Sequence, residues 1–235
     1  VRKILHILFL IISPALFAQL PQSLLKPAKR VAMFDDYEGS IFSSLRYKEA
    51  SVIDEKSGTF DAKLRYNIFS DALEFKKANN ELFKIVKSPT THARIDGDYY
   101  YYCEFKTQRG SARSGYYVLV ELNERYRIYK RYTLDVIEPD KKGSVSGTSA
   151  PGRVKTITTY YIEERGLIME LPMNRKSLLA SFSDKETELK AYIKKEKIKV
   201  RKEEDLIRLV SRYNALKSSD SSPSRSLLSN RDRRN

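Results

Sequence analysis

Between residues 47 and 171 the chain is cut every few residues by a turn signal, and the text between the cuts alternates. FDAKLRYNIF (60–69) puts Leu64, Tyr66 and Ile68 on one face and Lys63, Arg65 and Asn67 on the other, the period of two of a strand with one wet face. YKEASVID (47–54), ALEFKK (72–77), ELFKIVK (81–87), YYYYCEFK (99–106), GYYVLVEL (115–122), RYRIYKRY (125–132), KTITTYYIE (155–163) and LIMEL (167–171) read the same way. Gly58, Asn79-Asn80, Gly110, Asn123-Glu124 and Arg165-Gly166 supply the turns between them. Many short strands joined by close turns predict a mainly β fold with C-terminal helices (α+β): an antiparallel sheet, sandwich or partial barrel, then a two-helix segment. The aromatic residues, 16 Tyr and 10 Phe with no Trp, suit strands, where a ring packs and a hydroxyl reaches a partner. Neighbouring tyrosines of one strand face opposite sides, so Tyr116-Tyr117 and Tyr160-Tyr161 are each expected to turn one ring inward and one outward.

After residue 172 the period changes. Ser183 and Glu186 have capping-box spacing, and Leu189, Tyr192 and Ile193 follow at helical intervals. Leu206, Leu209, Val210 and Tyr213 form a second stripe behind Glu203, Glu204 and Asp205, which suit the positive end of a helix dipole. Helices are expected at 183–196 and 202–217, with the pair (183–217) laying Leu189, Ile193, Leu206, Leu209 and Val210 on the sheet. The chain thus divides into a lead-in segment (19–39), a β domain (40–172), the helical pair and a Ser- and Arg-rich tail (218–235), expected to be disordered. Residues 138–154 form a Gly/Ser/Pro-rich loop, long for a compact domain.

The first 18 residues carry an export expectation. Arg2 and Lys3 precede an apolar run from Ile4 to Ile12, and Ala15 to Ala18 offer small residues for cleavage. This is the order of a secretory signal (1–18), and the run is shorter than the roughly 20 apolar residues of a membrane-spanning helix. The mature chain is therefore expected to be exported, without a transmembrane segment, to the periplasm, the outer membrane surface or the medium. The single cysteine, Cys103, permits no internal disulfide and supplies no lipidation site after Ala18. Charged outward positions in RYRIYKRY argue against a membrane barrel, because each charge costs about 2–4 kcal/mol at the bilayer midplane.

Composition excludes several chemistries. Histidine is limited to His6 and His92, so no zinc site is expected. A nucleophilic triad would depend on His92, which the sequence places in the loop SPTTHARIDGD near Asp96 and Asp98. The glycines at 143, 147 and 152 lack the ending of a phosphate loop. No catalytic residue, metal or cofactor is assigned. A carboxylate-dependent hydrolase acting on an envelope glycan stays as an alternative, since it needs only two suitably spaced acids.

The formal charge of +14 favours anionic partners. Its densest expression is Lys190, Lys194, Lys195, Lys197, Lys199, Arg201 and Lys202, seven cations against the one acid Glu196. These residues are the candidate contact for an anionic partner. Export turns the expectation away from nucleic acid and toward an anionic lipid surface, a glycan or an envelope protein. LRYNIFSDALEFK (64–76) and KETELKAYIKKEKIKVRKEEDLIRLVSRYNAL (185–216) resemble an uncharacterised group of secreted envelope proteins of Bacteroidota, whose signals also end near Phe-Ala-Gln. The resemblance implies a cell-envelope location and no activity. The resulting expectation is an exported cell-envelope binding or structural protein.

Overall fold

A computed structural model describes residues 20–139 and 150–219. The signal expectation (1–18), most of the 138–154 loop and the tail from residue 220 lie outside the described residues. Among the described residues there are twelve strands: β1 (Leu25–Pro27), β2 (Glu38–Gly39), β3 (Lys48–Asp54), β4 (Gly58–Asn67), β5 (Ala72–Lys76), β6 (Leu82–Ile85), β7 (Thr91–Ile95), β8 (Asp98–Thr107), β9 (Ala112–Leu122), β10 (Arg127–Ile137), β11 (Arg153–Glu164) and β12 (Leu167–Leu171). Three helices follow: α1 (Arg175–Ser181), α2 (Glu186–Lys195) and α3 (Glu203–Ser219). The mainly β architecture with C-terminal helices is as the alternation predicts.

Three details differ from that prediction. The sheet is mixed, because β8 pairs β12 and β11 pairs β2 in parallel. The helices number three, with α1 capped by Asn174, whose side chain accepts the Ser177 N–H at 2.7 Å. The capping box does not form: Ser183–Lys185 is a 3₁₀ turn, and α2 starts after it without a side-chain cap. Asp184 instead accepts the Tyr213 hydroxyl at 2.8 Å, tying the turn to α3.

The strand order is β1-β6-β5-β4-β3-β7-β8-β12-β11-β10-β9, and β9 also pairs β8. The sheet as a whole is not a closed barrel, but this end curls back on itself. β7 pairs the first half of β8, at Asp98–Tyr101, and β12 pairs its end, at Lys106–Thr107. Five strands, β8 to β12, thus run around a small interior filled by Phe105, Tyr117, Tyr129, Tyr161 and Ile168, one residue from each strand. Edge-on and tilted ring contacts among the four aromatic residues at 5.1–6.0 Å hold it together.

The curl explains the tyrosines. Tyr116 and Tyr117 do face opposite sides of β9, yet they are 2% and 0% exposed, because Tyr116 joins the core of the open sheet and Tyr117 fills the ring. No wet face remains there. A third core lies outside the ring, where Tyr126, Ile128, Ile162, Met169 and Leu171 meet Leu178, Phe182, Leu189, Ile193, Leu206, Leu209, Val210 and Tyr213 of the helical layer.

The outward face of β4 is also covered. The Arg65 guanidinium lies over the ring of Phe42, 3.4 Å from its centroid, and pairs with Glu74 at 2.7 Å. Asn67 donates to the same carboxylate at 2.7 Å. Residues read as solvent-facing therefore form a buried polar cluster across β4 and β5.

Candidate functional site

The basic joint between α2 and α3 is built by a helix stop and a strapped-down turn. Glu196 N–H bonds to Tyr192 O, Lys197 adopts a φ of +52°, and Ile198 N–H reaches back to Ile193 O at 3.1 Å. This is a Schellman ending with a lysine in the left-handed slot that glycine fills most easily. Ile198 and Val200 then enter the helical core, so Lys197, Lys199 and Arg201 between and beside them stand in solvent. The joint thus alternates buried and exposed residues where the sequence alone shows only an interruption of the helical stripe.

All seven candidate cations are exposed, and the structure places them around this one joint. Lys190 pairs with Glu186 at 2.6 Å. Lys194, Lys195, Lys197, Lys199, Arg201 and Lys202 form no ion pair among the described residues. Three of the nearby acids are engaged elsewhere. Glu196 pairs with Arg208 at 3.3 Å, and Asp205 pairs with Arg208 and accepts the Lys199 backbone N–H at 2.9 Å. Glu203 accepts the Tyr160 hydroxyl at 2.8 Å and pairs with Lys130 at 3.3 Å. Glu204 is exposed and forms no ion pair among the described residues. The carbonyl end of α2 accounts for Lys194 and Lys195 as dipole partners. That account does not extend to Lys197, Lys199 and Arg201, which lie beyond the helix.

The strained slot gives a direct measurement. Lys197→Gly is expected to raise stability by about 0.5–1 kcal/mol, the left-handed penalty less the added chain entropy of glycine. The same change removes one of the six unpaired charges. Urea melts and an anion-binding titration on this one variant should therefore move in opposite directions. A loss of stability would show that Lys197 makes contacts that outweigh its strained backbone.

The other sequence candidates occupy structural positions. His92 lies on β7 and not in a loop, stacked on Tyr101 with centroids 4.6 Å apart, and burial holds its imidazole below the ordinary range. Cys103 lines the ring interior, where burial pushes its thiol up to about 12. A protonated thiol there is a packing group and a poor nucleophile. Among the described residues no three His, Cys, Asp or Glu side chains gather as metal ligands. No described helix is long and apolar enough to cross a membrane.

Sequence reasoning did not find a depression of about 490 Å³ where the 123–126 turn, the Arg165-Gly166 turn and the last turns of α3 meet. Three acids line it: Glu124, Glu163 and Glu164. Glu163 is held at both oxygens, by the Gly166 N–H at 2.6 Å and by Arg127 at 3.2 Å. That clamp makes it a brace of the turn.

No family model, curated protein or solved structure matches this chain.

Proposed function

We propose that this chain is an exported, non-catalytic envelope protein whose basic joint binds an anionic glycan. The observation that supports it is the set of six exposed cations left unpaired while Glu196, Glu203 and Asp205 are engaged elsewhere. The order of residues 1–18 supports export. A glycan is favoured over a bilayer because none of the large exposed apolar side chains, Leu45, Phe69 and Leu122 among them, belongs to residues 186–202. A helix pair that docks on lipid presents apolar side chains for insertion.

The test replaces Lys194, Lys195, Lys197 and Lys199 together by Ser. The control replaces Lys26, Lys56, Lys76 and Lys84, which are exposed on other parts of the surface. At low salt, binding to polygalacturonate should fall about 30-fold in the joint variant, each exposed cation contributing about 0.5 kcal/mol. Binding by the parent should weaken steeply with salt, since exposed charges are screened over about 10 Å at 0.1 M. Equal loss in the two variants would show a diffuse charge effect. Binding to phosphatidylglycerol vesicles with none to the polymer would assign the joint to lipid. Either result removes the proposal.

A further inference from the structure

The depression beside the β11–β12 turn gathers donors that the fold does not use. Arg165 and Gly166 both have positive φ, 52° and 81°, the backbone of a two-residue hairpin turn. That geometry turns the chain tightly and leaves the Arg165 side chain exposed at the rim. Across the depression, Asn123 Oδ1 accepts the Arg125 N–H at 3.1 Å, which fixes the facing turn and leaves the Asn123 amide nitrogen to donate. Arg125 gives one N–H to Ser218 Oγ at 2.5 Å. Neither Arg125 nor Arg165 has a carboxylate partner among the described residues. Arg127 is already committed to Glu163, which is 4% exposed. Asn214 adds an amide from α3.

Two guanidinium groups without a carboxylate partner among the described residues, Arg125 keeping further N–H donors beside the one given to Ser218, suit a planar carboxylate, and amides suit hydroxyl groups. Glu124 on the same rim supplies an acceptor for hydroxyl donors. Its charge also disfavours a doubly charged phosphate more than a single carboxylate. The volume falls in the range of small-molecule sites.

We infer that the depression binds one carboxylated sugar residue, a uronate, with its carboxylate on Arg125 and Arg165 and its hydroxyl groups on Asn123 and Asn214. The inference rests on the glycan reading and deepens it. The joint supplies charge without selectivity, and the depression, at the other end of α3, reads the sugar.

The two sites are separable by experiment. D-galacturonate monomer is titrated into the full chain and followed by NMR shifts, beside D-galactose and inorganic phosphate. Galacturonate should bind at millimolar concentration, and galactose about 10-fold or more weakly, because it lacks the charge-assisted pair. Arg125→Ala with Arg165→Asn should lower monomer binding about 10-fold or more, asparagine being chosen because it tolerates the left-handed turn. That variant should keep its melting temperature and its salt-sensitive binding to polygalacturonate. The joint variant should do the reverse, losing the polymer and keeping the monomer. No monomer binding by the parent at tens of millimolar overturns the inference and leaves the joint untouched. Phosphate or galactose binding as tightly as galacturonate also overturns it. Loss of polymer binding in the joint variant is the readout of the earlier proposal alone.

Discussion

Raising the pH from 9 to 11.5 is expected to unfold this protein cooperatively. Tyr66, Tyr100 and Tyr116 sit in the core of the open sheet, and burial pushes each phenol far above its ordinary value. For Tyr66 the Asp71 carboxylate, which accepts its hydroxyl at 2.8 Å, pushes further in the same direction. In the unfolded chain these groups titrate near about 10. Below that value both states hold the protons and stability is unaffected. Above it the unfolded chain releases protons that the native state keeps, so stability falls by about 1.4 kcal/mol per pH unit for each phenol. Three such residues give a slope of about 4 kcal/mol per unit, against a total stability of about 5–15 kcal/mol. The Cys103 thiol acts with the same sign and begins near about 8.5. Phenolate absorbance and far-ultraviolet circular dichroism should change together in one transition. Reversible titration of every tyrosine near pH 10 with the sheet signal intact would refute the burial argument.

The second large effect concerns the pair under Phe42. Glu74→Ala should cost about 3–5 kcal/mol, because it leaves the Arg65 charge buried without its counterion and strips Asn67 of its acceptor. The partners are 5% and 16% exposed, so solvent does little to replace the lost carboxylate. Arg65 Nε is itself buried without a hydrogen-bond partner. An apolar replacement of both residues, Arg65→Met with Glu74→Leu, should therefore be less harmful than Glu74→Ala alone. Urea midpoints of the two variants decide the matter. If Glu74→Ala costs under about 1 kcal/mol, the pair behaves as a surface bridge and the cover provided by Phe42 is open to water.

Most strands were legible because alternation and turn chemistry agree there. β12 lies where LIMEL predicts it, and Arg165-Gly166 forms the turn between β11 and β12. The strand β7 was missed although its signal is present: Asp96-Gly97, with φ of 51° and 95°, is a hairpin turn that the presence of His92 made easy to read as a loop. The faces of β9 and β4 were not legible. Alternation tells which residues share a side, and it does not tell whether a distant segment covers the second side, as the ring does for Tyr117 and Phe42 does for Arg65. The seven cations of the joint were visible as composition. Their lack of partners depends on Arg208, Lys130 and Tyr160 drawing off the acids, which only the three-dimensional arrangement reveals. The depression joins residues more than 80 apart in sequence, Arg125 and Asn214 among them, so no local pattern announces it.

The parallel pairing of β12 with the end of β8 also sets an order in time. Hairpins join β3 to β4, β4 to β5, β5 to β6, β7 to β8 and β8 to β9, all from contacts close in sequence. Lys106 and Thr107 must wait for Leu167 and Ile168, and closing so long a loop is slow compared with forming a hairpin. Folding should therefore run in two phases, the meander first and the ring last. Until the late phase β8 keeps an unpaired edge, the kind of surface on which chains stick to one another. A chain delivered N-terminus first meets that hazard in full, because the strand that ends it arrives after more than two thirds of the sequence.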